Sequence, residues 1–236
     1  MKQTIDLAHS SVRELNSALH ALDPGDDGQA GGQVSEWTVC NPRGAHAIAV
    51  GINAPARVHI DGHVGYYCAG MNKYADITIN GNAGVGVAEN MMSGVVHVKG
   101  DASQSAAATA QGGMLIVEGN ASARCAISLK GADVVVKGNI GHMSAFMAQA
   151  GNLVVLGDAG EALGDSLYEA RLFVRGKVAS LGADCEEKKM KAKHHVLLAG
   201  LLTRAGLGED PDTSAFRRYG SARKLYNFNT DNVDAY

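Results

Sequence analysis

The sequence predicts an all-β protein built as a right-handed parallel β-helix of about seven coils. Three observations lead to this prediction: a repeat of 19 residues, an apolar–x–apolar segment in each repeat, and a glycine that closes the segment. Val, Ile or Leu stands four and two residues before every one of these glycines. The repeat is marked by Gly62, Gly81, Gly100, Gly119, Gly138, Gly157 and Gly176.

Each repeat is typical of a short strand, because alternate side chains of an extended chain point to the same face. A unit of 19 residues is too short for the two-helix units of helical repeat proteins, which need about 33 residues. Ala or Gly stands six residues before every one of the glycines and seven residues after it, as at Ala69 and Ala88, which predicts tight corners between stacked coils. Left-handed β-helices use 18 residues per coil and lyase β-helices have irregular coils, so the fixed period argues against both.

The repeat divides the chain into three regions, which are residues 1–36, 37–185 and 186–236. In the first region we expect a short strand near Thr4–Leu7 and a helix that begins at a capping box, Ser11 to Glu14. In the third region, apolar residues at helical spacing predict a helix over residues 186–204, followed by an extended tail. The tail holds five of the twelve aromatic residues of the chain, so we expect it to dock onto another surface.

Composition excludes several classes of function. With 21 basic and 24 acidic residues the net charge is −3, which argues against a nucleic-acid-binding protein. No apolar run approaches the roughly 18 residues of a membrane helix, so we expect no membrane partner and a cytoplasmic location. The four cysteines form no CxxC pair, which predicts reduced thiols and no zinc ribbon.

Residues with catalytic or ligand chemistry do not converge in the repeat, so we expect no catalytic, cofactor-binding or metal-binding residue in this chain. His59 and His97 lie two coils apart, roughly 10 Å at the usual strand spacing. His194 and His195 are adjacent, so they point to different sides of a helix. His63 precedes two tyrosines, and we interpret this group as a turn.

Charged residues near the C-terminus predict solvated surfaces. Glu186 and Glu187 are expected in the first turn of the helix, and the lysines that follow are expected on one exposed face. Arg217 and Arg218 in the tail could bind carboxylates on the surface that the tail meets.

Three residues before each glycine, the side chain should point outward, and four consecutive coils place an apolar residue there. We call these four residues the apolar stripe. A contiguous outward apolar surface is usually covered, either by another part of the chain or by a partner. Both alternatives remain open: the helix near residues 190–202 or a partner subunit. The candidate interface combines the apolar stripe, Ile116, Val135, Val154 and Phe173, with tail residues Phe216, Tyr219, Tyr226 and Phe228.

The pattern Gly-(Asn/Asp)-Ala-(Gly/Ser) follows the apolar strand, as in Ile77 to Gly84 and Leu153 to Gly160. This pattern resembles the GXGXG family, the β-helix domain at the C-terminus of the glutamate synthase large chain, over roughly residues 37–190. Stand-alone members of the family are subunits of N-methylglutamate synthase and of formylmethanofuran dehydrogenase and its methylotroph relatives. The entry segment Asn41 to Gly44 and the aromatic tail are most similar to the N-methylglutamate synthase subunit.

The resemblance implies a scaffold without catalytic residues, because in this family the β-helix aligns a glutamine-amidotransferase-like part with an FMN-binding synthase part. This chain lacks both parts, so the resemblance implies an amidotransferase-like subunit and an FMN-dependent glutamate-synthase-like subunit as partners. FMN, with an iron–sulfur cluster as a further candidate, would belong to a partner subunit. The implied reaction converts methylamine and glutamate into N-methylglutamate and ammonia.

Two other functions stay open. One keeps the fold but places the chain in a formylmethanofuran dehydrogenase or formyltransferase–hydrolase complex. The other is a stand-alone β-helix lyase or hydrolase with its site on an outer face. Such an enzyme should bring carboxylates, histidines and cations together on adjacent coils, and the sequence shows these residues scattered.

Overall fold

A computed structural model describes residues 2–25 and 34–223, and it confirms a right-handed parallel β-helix flanked by two helices. Within the described residues, the strands form one sheet in the order β1-β2-β3-β4-β5-β6-β7-β8-β9-β11-β10. The elements are β1 (Lys2–Asp6), α1 (Val12–His20), β2 (Ser35–Cys40), β3 (Ala56–Asp61), β4 (Asp76–Ile79), β5 (Val95–Val98), β6 (Met114–Val117), β7 (Lys130–Val136), β8 (Ala150–Val155), β9 (Arg171–Val174), β10 (Cys185–Lys188), α2 (Ala192–Arg204) and β11 (Arg217–Ser221).

The strands of the repeat stack in the register that the 19-residue period predicts. Val58 of β3 pairs with Ile77 of β4, and Ile77 pairs in turn with Val96 of β5. All three side chains are fully buried inside the rod. A second ladder of parallel bridges joins the residues two positions after each glycine, beginning with Val64 and Ala83. The coils are therefore tied together on two sides of a continuous aliphatic core.

Each coil turns back through residues in the left-handed region of backbone conformation. In the coil after Gly100, Ser105, Ala107 and Thr109 have φ values of 60°, 54° and 55°. A non-glycine residue in this region costs about 1–2 kcal/mol, so something must offset it. The offset comes from bonds between coils: the N–H of Ala107 donates to the carbonyl of Val87 at 2.9 Å, and the N–H of Thr109 donates to a carbonyl of the following coil. Alanine recurs at this corner because its small side chain fits the packed interior.

The glycine column is required by close approach between coils, as Gly119 illustrates. A Cβ at Gly119 would lie 2.3 Å from Oδ1 of Asp101 and 2.9 Å from the carbonyl oxygen of Gly100. The same Oδ1 accepts the N–H of Asn120 at 2.7 Å. Equivalent bonds link successive coils, and their side-chain acceptors are His63, Asn82, Asp101, Asn120, Asn139 and Asp158. From Gly100 to Gly176, each glycine thus leaves space for the Asn or Asp side chain of the preceding coil, which accepts the N–H of the residue after that glycine.

The N-terminal elements close one end of the rod. Strand β1 adds to the sheet in parallel with β2 and begins two residues before the predicted strand. The predicted capping box is confirmed, because the hydroxyl of Ser11 accepts the N–H of Glu14 and the carboxylate of Glu14 accepts the N–H of Ser11. Leu15 and Leu19 of α1 are fully buried against the core.

The C-terminal elements differ from the prediction in two ways. Residues 186–188, predicted as the start of a helix, belong to strand β10, and α2 begins only at Ala192. Residues 217–221, predicted as tail, form β11, which lies antiparallel between β9 and β10. Neither strand shows apolar alternation in its sequence. The strands form through pairing with their neighbours, since Tyr219 pairs with Leu172 on one side and with Glu187 on the other.

Candidate functional site

The apolar stripe lies beneath α2. Val135, Val154 and Phe173 are fully buried, and Ile116 is 4% exposed. They form a second apolar cluster outside the rod, separate from the core inside it, with partners from α2 and the tail: Leu198, Leu201, Leu202, Ala205 and Phe216. Of the two alternatives for covering the apolar stripe, the structure shows the chain's own helix, so these four residues do not form a free surface.

The remaining residues of the candidate interface divide into two groups. Phe216 is 4% exposed and packs with the apolar stripe, whereas Tyr219 is 2% exposed and packs with the interior core. Both aromatic residues are therefore buried within this chain. Tyr226 and Phe228 lie outside the described residues.

Helix α2 is fixed to the rod by a polar contact as well as by the apolar cluster. Nη1 of Arg204, at the end of α2, donates to Oδ2 of Asp133 at 2.9 Å. The other oxygen of Asp133 accepts Nδ2 of Asn152 at 2.8 Å, one coil further along. The carboxylate of Asp133 thus joins two coils and the helix.

A cationic pocket lies at the C-terminal end of the sheet, where β10 leads into α2 and the chain returns as β11. We call it the terminal pocket, and its volume is about 490 Å³. It combines four cationic side chains with one carboxylate and a partly apolar wall. Its lining residues are Glu187, Lys188, Lys189, Met190, His195, Ser214, Phe216, Arg217 and Arg218.

Neighbouring acids and carbonyls hold several of these cations in place. Lys188 forms an ion pair with Glu186, and Nη1 of Arg217 lies 3.9 Å from Oε2 of Glu187. Nη2 of Arg217 also donates to the carbonyl of Gly176 at 2.9 Å.

Arg218 differs from Arg217 in its partners. Its Nη2 donates to the carbonyl of Lys189 at 3.4 Å. Its Nε is buried and has no acceptor among the described residues. A buried donor without a partner costs free energy, and a group with such a donor is a candidate for binding an acceptor from outside.

The surroundings of the terminal pocket are positive beyond its lining. Burial lowers the pKa of Arg218, and the nearby Arg171 lowers it further. Burial also lowers the pKa of His194, with added contributions from Arg218, Lys193, Arg171 and Lys191. The first turn of α2 contains no acidic residue, so the positive end of the helix dipole adds to the same field.

Sequence reasoning identified these charged residues but placed them apart. The lysines were expected on a solvated face of a longer helix, and Arg217 and Arg218 in a separate tail. They meet because β11 pairs with β10, which places Arg218 opposite Lys188. The adjacent arginines of the tail and the run of lysines before α2 are visible in the sequence. Only the pairing of β10 with β11 shows that they lie side by side.

A second polar cluster lies on the outer face of β5 to β7 and was missed from the sequence. Nε2 of His97 lies 2.6 Å from Oε1 of Glu118, and Nζ of Lys137 lies 2.8 Å from Oε2. Burial acts to raise the pKa of Glu118, but the hydrogen bonds and charges of Lys137 and His97 outweigh it and hold that pKa below its usual value. Glu118 and Lys137 each precede a repeat glycine, so their 19-residue spacing was a readable signal. The cluster ties neighbouring coils together.

The other histidines of the sequence analysis do not form a common site. His63 begins the side-chain ladder, since its Nδ1 accepts the N–H of Asn82 at 2.9 Å. His194 is buried, and Nδ1 of His195 lies 2.9 Å from the hydroxyl of Thr213. Within residues 2–25 and 34–223, no group of three or more His, Cys, Asp or Glu side chains could hold a metal ion.

All four cysteines are free thiols. Cys68 and Cys125 are fully buried inside the rod, and burial raises the pKa of both thiols to about 12. Thiols with so high a pKa stay protonated at neutral pH and act as small apolar core residues. In the part of the chain that the structure describes, no helix has the length and apolar character to cross a membrane.

The stacked coils, the helix-covered outer face and the terminal pocket define a β-helix protein with a ligand-sized cationic pocket at one end. The chain is 60% identical over 232 residues to "Protein GlxC" of Rhizobium meliloti strain 1021, and the match covers 98% of this chain and 99% of GlxC. The chain therefore belongs to the GlxC family. No family model matches the chain.

Proposed function

We propose that this chain is a non-catalytic scaffold subunit of a glutamate-synthase-like complex, with N-methylglutamate synthase as the specific complex. The observation that carries the proposal is the uninterrupted stack of coils with its glycine and Asn/Asp ladder, which resembles the β-helix of the GXGXG family. The chain also aligns with GlxC over 98% of its length, at 60% identity.

The construction of the rod suits a spacer between two larger subunits. Hydrogen-bond ladders of the backbone join its coils on two sides, and the side-chain ladder after each glycine joins them again. A rod joined in this way is rigid along its length. Eleven stacked strands at the usual spacing span roughly 48 Å. In this proposal the partner subunits hold FMN and perform the conversion of methylamine and glutamate, and the rod fixes their separation.

Exposed apolar side chains on the first coils offer a surface for a partner subunit. Tyr66 is 54% exposed and Val85 is 47% exposed, and both stand four residues after a repeat glycine on neighbouring coils. Met71, later in the same coil as Tyr66, is 40% exposed. The ring of Tyr66 stacks against His46 with centroids 4.2 Å apart, so it is held in place while exposed. A preformed aromatic and aliphatic surface of this kind is typical of contact regions.

The proposal is tested by purifying the affinity-tagged chain from its native host and identifying the proteins that remain bound. We expect an amidotransferase-like chain and an FMN-containing chain in fixed ratio, with flavin absorbance in the complex. A Tyr66→Ala, Val85→Ala double variant should lower the yield of bound partners, whereas Val196→Ala, a change at an exposed position on α2, serves as the matched control.

Two results would contradict the proposal at different levels. Co-purification with a formyl-transferring enzyme would replace N-methylglutamate synthase by the formylmethanofuran-type complex while keeping the scaffold role. Purification of the chain without partners, together with turnover by the chain alone, would reject the scaffold role itself.

A further inference from the structure

We propose that the terminal pocket binds a small organic anion through its carboxylate or phosphate groups, with Arg218 as the main anchor. This inference concerns the isolated chain and does not depend on the proposed function. It rests on the shape of the terminal pocket, the charges that line it, and the unmatched donor of Arg218.

The terminal pocket has the size and construction of a small-molecule site. Its volume of about 490 Å³ lies in the usual range for such sites, which is roughly 300–1,000 Å³. Three separate elements form its walls: the end of β10, the start of α2 and the start of β11. Met190 and Phe216 provide apolar surface that could contact the carbon skeleton of a ligand. A volume of this size accommodates a small molecule.

The charges of the terminal pocket select for an anion. Lys188, Lys189, Arg217 and Arg218 line it against the single carboxylate of Glu187. The ion pairs of Lys188 and Arg217 account for part of this positive charge. Arg218 has no carboxylate partner among the described residues, and its Nη2 donates a long hydrogen bond of 3.4 Å to the carbonyl of Lys189.

The buried Nε of Arg218 is the second observation that points to a ligand. A guanidinium normally satisfies its donors, and bidentate bonds from two of its nitrogens to one carboxylate or phosphate are its strongest arrangement. In this chain Nε is buried without an acceptor. Binding through Nε would require the Arg218 side chain to turn toward the terminal pocket, which this residue lines. The positive end of α2, which has no acidic residue in its first turn, would attract the same group.

The test follows the Nε–Hε resonance of Arg218 in ¹H–¹⁵N NMR spectra of the full chain, with the resonance assigned by its loss in Arg218→Lys. Inorganic phosphate and citrate are the probes, and sodium chloride at equal ionic strength is the control. We expect a saturable shift of this resonance with phosphate or citrate and no saturable shift with chloride.

Variants separate a local site from a general effect of charge. Loss of one charge-assisted hydrogen bond should weaken binding about tenfold or more, so Arg218→Gln should bind the anion at least tenfold more weakly, as monitored by backbone resonances around the terminal pocket. Lys189→Gln removes a lining charge outside the strands and keeps the test valid if Arg218→Gln fails to fold. Arg57→Gln, at the far end of the rod, is the matched control and should bind like the wild type.

The inference is overturned if the shifts follow ionic strength alone, or if a folded Arg218→Gln binds phosphate and citrate with unchanged affinity. Where Arg218→Gln does not fold, unchanged binding by Lys189→Gln overturns it. It is also wrong if hexaglutamate produces a saturable shift and neither small anion does. That last outcome would assign the terminal pocket to an acidic segment of a protein partner.

Discussion

Gly119 has no room for a side chain, since Oδ1 of Asp101 lies where a Cβ would be. That oxygen accepts a hydrogen bond from the N–H of Asn120 in the next coil. The same competition recurs at Gly100, where a Cβ would lie 2.1 Å from Oδ1 of Asn82. Stacking therefore depends on single atoms at each repeat. The sequence pattern of glycine followed by Asn or Asp follows from this geometry, because either residue without the other would lose the bond or create a clash.

Replacing Gly119 with alanine tests this competition. We expect Gly119→Ala to lower the free energy of unfolding by about 1–3 kcal/mol, because Asp101 or the backbone of Gly100 must move. Chemical denaturation followed by circular dichroism measures the change. The matched control is Gly200→Ala, at an exposed helical position with no atom within 4 Å of the added Cβ. It should raise stability by roughly 0.5–1 kcal/mol, since alanine favours helix. Equal effects of the two substitutions would contradict the close-approach explanation.

Glu118 gives a prediction that depends on pH. Its pKa in the folded chain is lowered, so its interactions with Lys137 and His97 stabilise the fold fully above the ordinary glutamate pKa of about 4.3. This contribution is lost as the pH falls through the lower folded pKa. We therefore expect Glu118→Gln to cost about 0.5–1 kcal/mol near pH 7 and progressively less below pH 4.

The measurement for Glu118 is a series of denaturant unfolding curves between about pH 7 and pH 3. Glu209→Gln changes an exposed carboxylate and is the control. A difference between wild type and Glu118→Gln that stays constant across this range would show that the carboxylate charge does not contribute.

At the scale of elements, the C-terminal strands show where local sequence is a poor guide. Residues 217–221 read Arg-Arg-Tyr-Gly-Ser, with one apolar side chain, yet they form a strand between two others. Tyr219 enters the interior core and Phe216 enters the cluster beneath α2, so one short segment contributes to both apolar clusters. The tail up to Ser221 therefore belongs to the packing of the rod.

Two truncations separate the part of the tail that folds with the rod from the part beyond it. Ending the chain after Gly206 removes β11, leaves β9 and β10 without their partner, and loses the burial of Phe216 and Tyr219. We expect a loss of about 3–6 kcal/mol and a melting temperature lower by roughly 10 °C. Ending it after Arg223 keeps β11 and the contact of Arg223 with Asp184, so the melting temperature should stay within a few degrees. Thermal unfolding monitored by circular dichroism measures both melting temperatures. Equal melting temperatures for the two truncated chains would contradict this division of the tail.

The elements that the sequence predicted well are those with a local or repeated signal. The 19-residue period located the strands from β3 to β9, and the capping box located the start of α1. The errors concern β10 and β11, because their pairing joins residues that are 30 to 36 positions apart and mostly polar in both strands. The terminal pocket was missed for the same reason: its lysines and arginines come together only through that pairing.

At the scale of the whole molecule, the chain is a rod with two different ends. Helix α1 closes the N-terminal end, where exposed apolar side chains lie on the first coils, and the C-terminal end carries the cationic terminal pocket. The outer face of strands β6 to β9 is covered by α2, whereas Met147 and Tyr168 of the later coils are exposed. In the proposed complex, the first coils and the C-terminal end are the candidate contact regions, and they lie roughly 30–50 Å apart at the usual strand spacing.

Reconstitution of activity from separate subunits tests the scaffold role most directly. The purified partner subunits are mixed with methylamine and glutamate, with and without this chain, and formation of N-methylglutamate is measured by mass spectrometry. We predict efficient product formation only when the chain is present, and neither turnover nor bound flavin for the chain alone. Full activity of the partners without the chain, or turnover by the isolated chain with stoichiometric flavin, would contradict the account.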